Sequence, residues 1–411
     1  YFVGKFSDDG LTALSVIYPI QLFITALAVG TGVGVNTLMA RRYAHDENDE
    51  ADKTAGTGMV LAFVSWAVFA IVSVFIMEPF VKLCTSSPNV IKDAVTYGRI
   101  VSVGSIGEHM EGCFTKVHQA SGNMKLPTIA QVAGALTNIV LDPIFIFGFG
   151  FIPQMGVAGA AIATVASQCV SLVILSISFL RGRSIVHLHP KYVSCHMRDY
   201  VQIIAVGFPT IARQGMASLA SALMNIQGAI YGDAAVAALT ISNKIYLLVR
   251  NVMIGIGQGF QPVAGYNYGA GDRKRTREAF LFATKLGTVI CILAAGIIAA
   301  FAGSIIAWFR NDEQVVAIGR VALLYACAVM PFMAYSTFVN QLYQCLGFKL
   351  PATVLASLRQ GICFLPLIFI LPHFLGLAGV QATQPASDLL TFFICIPFQI
   401  AFFRKHLQDS V

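Results

Sequence analysis

The chain has 411 residues, 56% of them hydrophobic and only 11% charged, with a mean hydropathy of +0.73. A soluble globular protein needs far more polar surface than that, so the solvent of this chain is lipid. The net charge of +7 collects in membrane-flanking loops, which excludes a nucleic-acid binder, and long unbroken apolar runs exclude a barrel of alternating strands.

In chain order, "YFVGKF" at residues 1–6 reads as the last turn of a helix. Predicted spanning helices follow over residues 11–40, 54–77, 90–119, 126–148 and 157–180. A second series covers 200–230, 235–264, 277–305, 314–345, 350–372 and 378–403. Residues 59–77, 214–232 and 286–309 carry no charge at all, as the hydrocarbon core demands. The run 143–180 is also uncharged, but "GFGFIPQMG" at 148–156 divides it into two helices. Sixteen of the 27 Lys and Arg lie in one alternating set of loops and ends: 41–53, 116–125, 181–198, 271–277, Lys349 and 404–405. The opposite set holds four, Lys5, Lys82, Lys92 and Arg310. This asymmetry places the first set in the cytoplasm.

The sequence is written twice. "GTGVGVNTLMARRY" (30–43) matches "GIGQGFQPVAGYNY" (255–268) at an offset of 225, which also aligns "ALSV" (13–16) with "ALTI" (238–241) and Gly122 with Gly347. "KLP" (125–127) returns at 349–351, and "GVAG" (156–159) returns as "GLAG" (376–379). By this repeat, helix 200–230 has its partner ending in "YFVGKF", so roughly 25 residues of a first helix are expected upstream of Tyr1. Six helices per repeat give both halves one orientation. The expected domains are an amino-terminal lobe over 1–190 and a carboxyl-terminal lobe over 191–411, joined by the basic stretch 181–199.

Asp142 in "NIVLDPIFIFGFG" is the residue most out of place. The nearest charges in sequence are Lys125 before it and Arg181 after it. A charged side chain at membrane depth costs about 2.5–3.5 kcal/mol on insertion scales and marks function by default. Desolvation favours the neutral acid, which suits a group that loads and releases a proton. Asn138 lies one turn earlier on the same face, and Pro143 weakens the backbone ladder and permits a bend. The alternative is a carboxylate satisfied by a neighbouring helix for packing alone.

Glu108 and Glu111, three apart on one helical face with His109 beside them, form a candidate proton relay, or are wetted or paired with Lys116. In the second half, Arg213, Lys244, Arg250, Lys285 and Arg359 lie in or near helices, and Asp388 is the only mid-helix acid. Pairing of Asp388 with one of these cations is its simplest role. The nine cysteines stand singly and read as small buried hydrophobes. His187, His189, Cys195 and His196 cluster in the linker, but nothing fixes their geometry, so neither metal nor cofactor is expected. The alternating glycines at 30–34 and 255–259 lack the context of a phosphate-binding loop and suit close helix packing. No nucleophile–base pair is visible, so no enzyme is expected.

With "GQGFQPVAGYNYGAGD" (257–272), "NIVLDPIFIFGFG" (138–150), "GVAGAAIATVASQ" (156–168) and "YFVGKF" in view, the chain resembles the multidrug and toxic compound extrusion (MATE) transporters, in particular the bacterial MepA-like branch. The resemblance covers essentially the whole chain. It implies an all-α, twelve-helix fold of two six-helix lobes, a multi-pass monomer in the bacterial inner membrane, and efflux of amphipathic organic cations against inward proton or sodium flow. It also implies that Asp142 and Asn138 take part in cation coupling with Thr164 in the following helix and with Tyr97. An acid just before "FVG" in the first helix belongs to the same implied site and falls upstream of Tyr1. Thr164 bonded to its own helix, and Tyr97 as an interfacial belt residue, are the plainer alternatives. Sodium-coupled relatives place acids in helices 7 and 10, whereas 200–230 and 315–345 hold none, which puts a second-lobe sodium site in doubt and favours coupling in the first lobe; the expected coupling ion is the proton rather than sodium. The alternative activity is a flippase for lipid-linked oligosaccharide or peptidoglycan precursors, with the second-lobe cations binding pyrophosphate.

Overall fold

A computed structural model of the chain describes residues 2–84, 87–150, 152–180, 190–309 and 312–406. Nearly all of them are helical. The elements are α1 (Phe2–Phe6), α2 (Asp8–Ala44), α3 (Asn48–Cys84), α4 (Pro88–Gly104), α5 (Ile106–Ala120), α6 (Lys125–Phe147) and α7 (Val157–Leu180). After a single 3-10 turn at Pro190–Tyr192 come α8 (Met197–Ala229), α9 (Asp233–Gly269), α10 (Arg273–Ala300), α11 (Ala302–Phe309), α12 (Glu313–Cys345), α13 (Lys349–Ser357), α14 (Phe364–Leu375) and α15 (Leu377–His406). A π turn at Leu358–Ile362 links α13 to α14. Among the described residues, eight helical stretches are long and apolar enough to cross a membrane. Phe75, Phe282 and Trp308 lie open on the surface, as side chains that face lipid must.

The chain forms two compact units, Tyr1–Ile211 and Ala212–Val411. The division falls inside α8, beyond the basic linker that the sequence suggests as the junction. The offset of 225 carries the bounds of α2 onto those of α9, Asp8 to Asp233 and Ala44 to Gly269. It carries Pro88 and Ala120, the outer bounds of α4 and α5, onto Glu313 and Cys345 of α12.

Helix ends follow local chemistry. The Ser7 hydroxyl accepts from the Gly10 amide (3.1 Å) and Asp272 accepts from the Arg275 amide (2.9 Å), each satisfying an orphan donor. Gly122 and Gly347, one offset apart, close α5 and α12 in the left-handed region at φ +81° and +72°.

Three predicted helices are interrupted. The segment 90–119 breaks at Ser105, whose hydroxyl turns back onto the Ser102 carbonyl (2.7 Å). The segment 277–305 breaks at Phe301 between α10 and α11. The segment 350–372 widens into the π turn, closed by the Cys363 amide on the Leu358 carbonyl (2.8 Å). Such breaks leave the apolar pattern intact, so hydropathy alone does not reveal them.

The alternating glycines set how closely helices cross. A Cβ on Gly207 of α8 would stand 2.0 Å from the Gly30 carbonyl oxygen, and one on Gly34 would stand 2.1 Å from that of Ile203. Gly32 is turned to α5, where a Cβ would meet the Gly112 carbonyl at 2.8 Å. In the second copy only Gly257 is crowded, by the Gln341 side chain, while Gly255 and Gly259 face open space. Gly207→Ala should therefore force α2 and α8 apart and destabilise the first unit by about 1–3 kcal/mol. Gly215→Ala, with nothing within 4 Å of the added carbon, should be neutral or slightly stabilising. Thermal unfolding in detergent micelles checks the pair, and equal melting temperatures would contradict the packing argument.

Candidate functional site

In α6 the four-residue spacing puts Asn138 and Asp142 on one face, and the Asn138 amide donates to the Asp142 carboxylate at a long 3.5 Å. Asp142 is half-buried and lies in an unbroken helix that contains Pro143. The Tyr97 hydroxyl arrives from α4, buried and accepting from the Gln21 amide of α2 (2.9 Å). Thr164 of α7 and Asp142 both lie near enough to act on that hydroxyl. Thr164 in turn donates to its own helix at the Ala160 carbonyl (3.0 Å). Asp142, Asn138, Tyr97 and Thr164 thus come together on three helices.

A cavity of about 250 Å³ opens beside them. Its wall includes Glu111 of α5, Gln131 and Asn138 of α6, and Thr164, Ser167 and Gln168 of α7. A polar cavity of that size has room for several waters with hydrogen-bonding partners. Gln168 reaches from this wall to donate to Glu108 (3.0 Å), and Thr25 of α2 donates to the other oxygen (2.6 Å). Glu111 accepts from Thr115 (3.0 Å) and shares the cavity wall with Gln131. Lys116, buried at the end of this series, donates to Gln119 (2.8 Å) and lies within electrostatic range of Glu111. His109 does not join the pair: its Nδ1 meets the Ser105 carbonyl (3.0 Å) and its Nε2 is buried without a partner. Asn138 and Gln168 therefore connect Asp142 and Glu108 to one cavity that already holds Glu111.

The second unit holds a different cluster. Asp388 of α15 is 2% exposed. It accepts from Arg359 Nε (2.5 Å) and Gln384 (3.0 Å) and hydrogen-bonds the Tyr246 hydroxyl of α9. Arg359 also bonds that hydroxyl, and its guanidinium lies 5.0 Å from the Tyr246 ring centroid. The π turn carries Arg359, and the Ser387 hydroxyl ties its carbonyl (2.5 Å) to α15. Arg250 is buried on α9, Arg213 is partly buried on α8, and Lys244 and Lys285 are exposed.

Sequence reasoning missed Gln21, Thr25, Gln168, Tyr246 and Gln384, which position the acids. Gln168 and Gln384 are polar residues inside apolar helices, which was the available signal, whereas Tyr246 carried none. His187 and His189 lie outside the described residues, and among the described residues no group of His, Cys, Asp and Glu could hold a metal ion.

Comparison with known proteins follows from this geometry. The sequence profile of the MatE family matches residues 1–144 and 209–370. The chain is 23% identical to a Shewanella oneidensis protein named FAD transporter, over 96% of this chain and 87% of that one. It is also 23% identical to the multidrug export protein MepA of Staphylococcus saprophyticus, over 92% and 83%. Among solved structures, an outward-facing multidrug resistance MATE family transporter superposes with a TM-score of 0.92 at 23% identity, covering 98% and 91%. A Vibrio cholerae transporter matches at 0.90 and 21% identity, covering 99% and 92%.

Proposed function

Because the chain belongs to the MatE family, a family of transporters built on this fold in the bacterial inner membrane, we propose that it is a proton-coupled antiporter that exports amphipathic small molecules. Coupling takes place in the amino-terminal unit at Asp142. The observation that carries this reading is the Asn138–Asp142 contact (3.5 Å) beside a polar cavity that Glu111 also lines. Protonation neutralises the carboxylate and removes its pull on Asn138. Pro143 already leaves the Ile139 carbonyl without its helical donor, so α6 bends there at low cost. The change in α6 then alters which side of the membrane the cargo faces, in an alternating-access cycle. Glu108 and Glu111 relay the proton toward the Lys116 end of α5, on the cytoplasmic side by the charge asymmetry of the loops. Organic cations, the cargo that the resemblance implies, are matched by the carboxylates of this unit.

A second reading draws on the arginines of the other unit. A carrier or flippase of molecules with a pyrophosphate group, such as lipid-linked oligosaccharide or peptidoglycan precursors, would use Arg250 and Arg359. The relative named FAD transporter supports the same chemistry, since a flavin dinucleotide contains a pyrophosphate bridge.

Proteoliposomes with separately imposed gradients test the first reading. A pH gradient alone should drive movement of a cationic dye such as ethidium, and a sodium gradient alone should not. Dye movement driven only by sodium would overturn the choice of ion, and no movement with either would overturn the antiporter. In the same assay Glu111→Gln should slow proton-driven movement, and an unchanged rate removes Glu111 from the path.

A further inference from the structure

The repeat places one helix face in both units, and the two copies use it differently. "GVAG" (156–159) and "GLAG" (376–379) stand 220 positions apart. That offset carries Thr164, Ser167, Gln168 and Ser171 of α7, all of which line the first-unit cavity, onto Gln384, Ser387, Asp388 and Thr391 of α15. In the second unit this face holds a tethered cation. Asp388 accepts from Arg359 Nε (2.5 Å) and from Gln384 (3.0 Å), and the Ser387 hydroxyl donates to the Arg359 carbonyl (2.5 Å). The "KLP" match, 125–127 with 349–351, brings Arg359 onto Ala135, which lines the same first-unit cavity. A methyl group thus stands where the second copy carries a guanidinium. The acid has changed helices. Gln168 stands where the second copy has the Asp388 carboxylate, and Glu111 of α5 supplies one where the offset of 225 places Ser336. The first unit therefore keeps a carboxylate but has no tethered cation, and a cavity of about 250 Å³ lies open beside it. Among the described residues that line this cavity there is no Lys or Arg. Lys116, further along α5, donates to Gln119 (2.8 Å).

We propose that the first-unit cavity binds the guanidinium or amidinium head of a transported molecule, the free counterpart of the Arg359 side chain in the second unit. Its acceptors suit such a head. Gln168 donates its amide nitrogen to Glu108 (3.0 Å), and Asn138 donates its own to Asp142 (3.5 Å). The carbonyl oxygen of each amide is left as an acceptor. With the Glu111 carboxylate these oxygens suit a planar cation rich in N–H donors, and a carboxylate meets two such donors side by side. A quaternary ammonium has no N–H and leaves the oxygens unpaired, the more costly outcome where water is scarce. Pockets that enclose a drug-sized molecule run to about 300–1,000 Å³. This cavity is smaller, so it takes a head group and leaves an apolar body outside. Its role as a cargo site rests on the antiporter reading; the binding itself does not.

Thermal unfolding of the full chain in neutral detergent tests the site with benzamidinium chloride. The comparisons are phenyltrimethylammonium chloride, an aromatic cation without N–H groups, and sodium chloride at matched ionic strength. Benzamidinium should raise the melting temperature saturably, and the other two should not. Glu111→Gln, which keeps the shape and removes the charge, should weaken that response at least tenfold in apparent affinity. The double variant Ala135→Arg/Gln168→Asp rebuilds the second unit's pair in the first and should remove the response altogether. If the double variant does not fold, Glu111→Gln decides. A benzamidinium shift no larger than that of sodium chloride overturns the proposal. So does an equal shift from phenyltrimethylammonium, or an undiminished benzamidinium response in Glu111→Gln. Ethidium movement driven by a pH gradient separates this site from the antiporter reading. Benzamidinium binding without dye movement leaves the site standing and removes that reading, whereas dye movement without benzamidinium binding removes only the site.

Discussion

Asp142→Asn is expected to abolish pH-gradient-driven efflux in proteoliposomes, to the level of empty vesicles, while the protein inserts and folds. Asparagine copies the shape of the protonated acid but can neither lose nor regain a proton, so the cycle stops in one state. Stability should change little, by less than about 1 kcal/mol. The acid is only half-buried and its hydrogen bond from Asn138 is long, at 3.5 Å. The informative result is therefore the combination of an unchanged melting temperature with lost transport. Transport at the unmodified rate would show that α6 does not carry the coupling. Lost transport together with lost folding would mean that Asp142 serves packing, and Asp142→Glu, which keeps a titratable group, then decides between the two.

Asp388→Ala should be the most destabilising single change in the second unit. It strips Arg359 of the carboxylate that lies 2.5 Å from its Nε. Breaking a buried ion pair from one side costs about 3–5 kcal/mol, because the remaining charge has no compensation. Here the Arg359 guanidinium is left with the Tyr246 hydroxyl in place of its carboxylate, which places the effect within that range. Removing Arg359 as well, in Arg359→Met/Asp388→Leu, should recover much of that loss, since paired apolar replacements of buried ions are often close to neutral. Melting temperatures of the three proteins make the comparison. A double variant no better than Asp388→Ala would show that the network, rather than the charge, sustains the unit.

The fold was legible because its strongest signals are periodic and long. Apolar runs of about 20 residues fix spanning helices, and matched strings at an offset of 225 fix the two-fold repetition. The i,i+4 spacing of Asn138 and Asp142 was equally readable, since both residues lie on one element. Tyr97 and Thr164 drew attention only through resemblance, because their approach to Asp142 depends on how α4 and α7 pack. Tyr246 was invisible for the same reason: its partners lie 113 and 142 positions away. The break at Ser105 escaped because its flanks keep the hydropathy of a continuous helix. Arg359 and Asp388 were visible as residues, but their meeting at the Tyr246 hydroxyl needs α9, the π turn and α15 to be placed in space.

The wide turn at Leu358–Ile362 has a consequence for evolutionary comparison. A helix that closes one bond over five residues instead of four spends an extra residue without gaining height. Any relative whose corresponding segment winds regularly must fall out of register with this chain at that point. Downstream, a gap-free pairing would match each side chain with a neighbour roughly 100° around the axis. Whether a homologue possesses the counterpart of Arg359 is therefore a question of local winding, which superposed backbones answer and percentage identity does not.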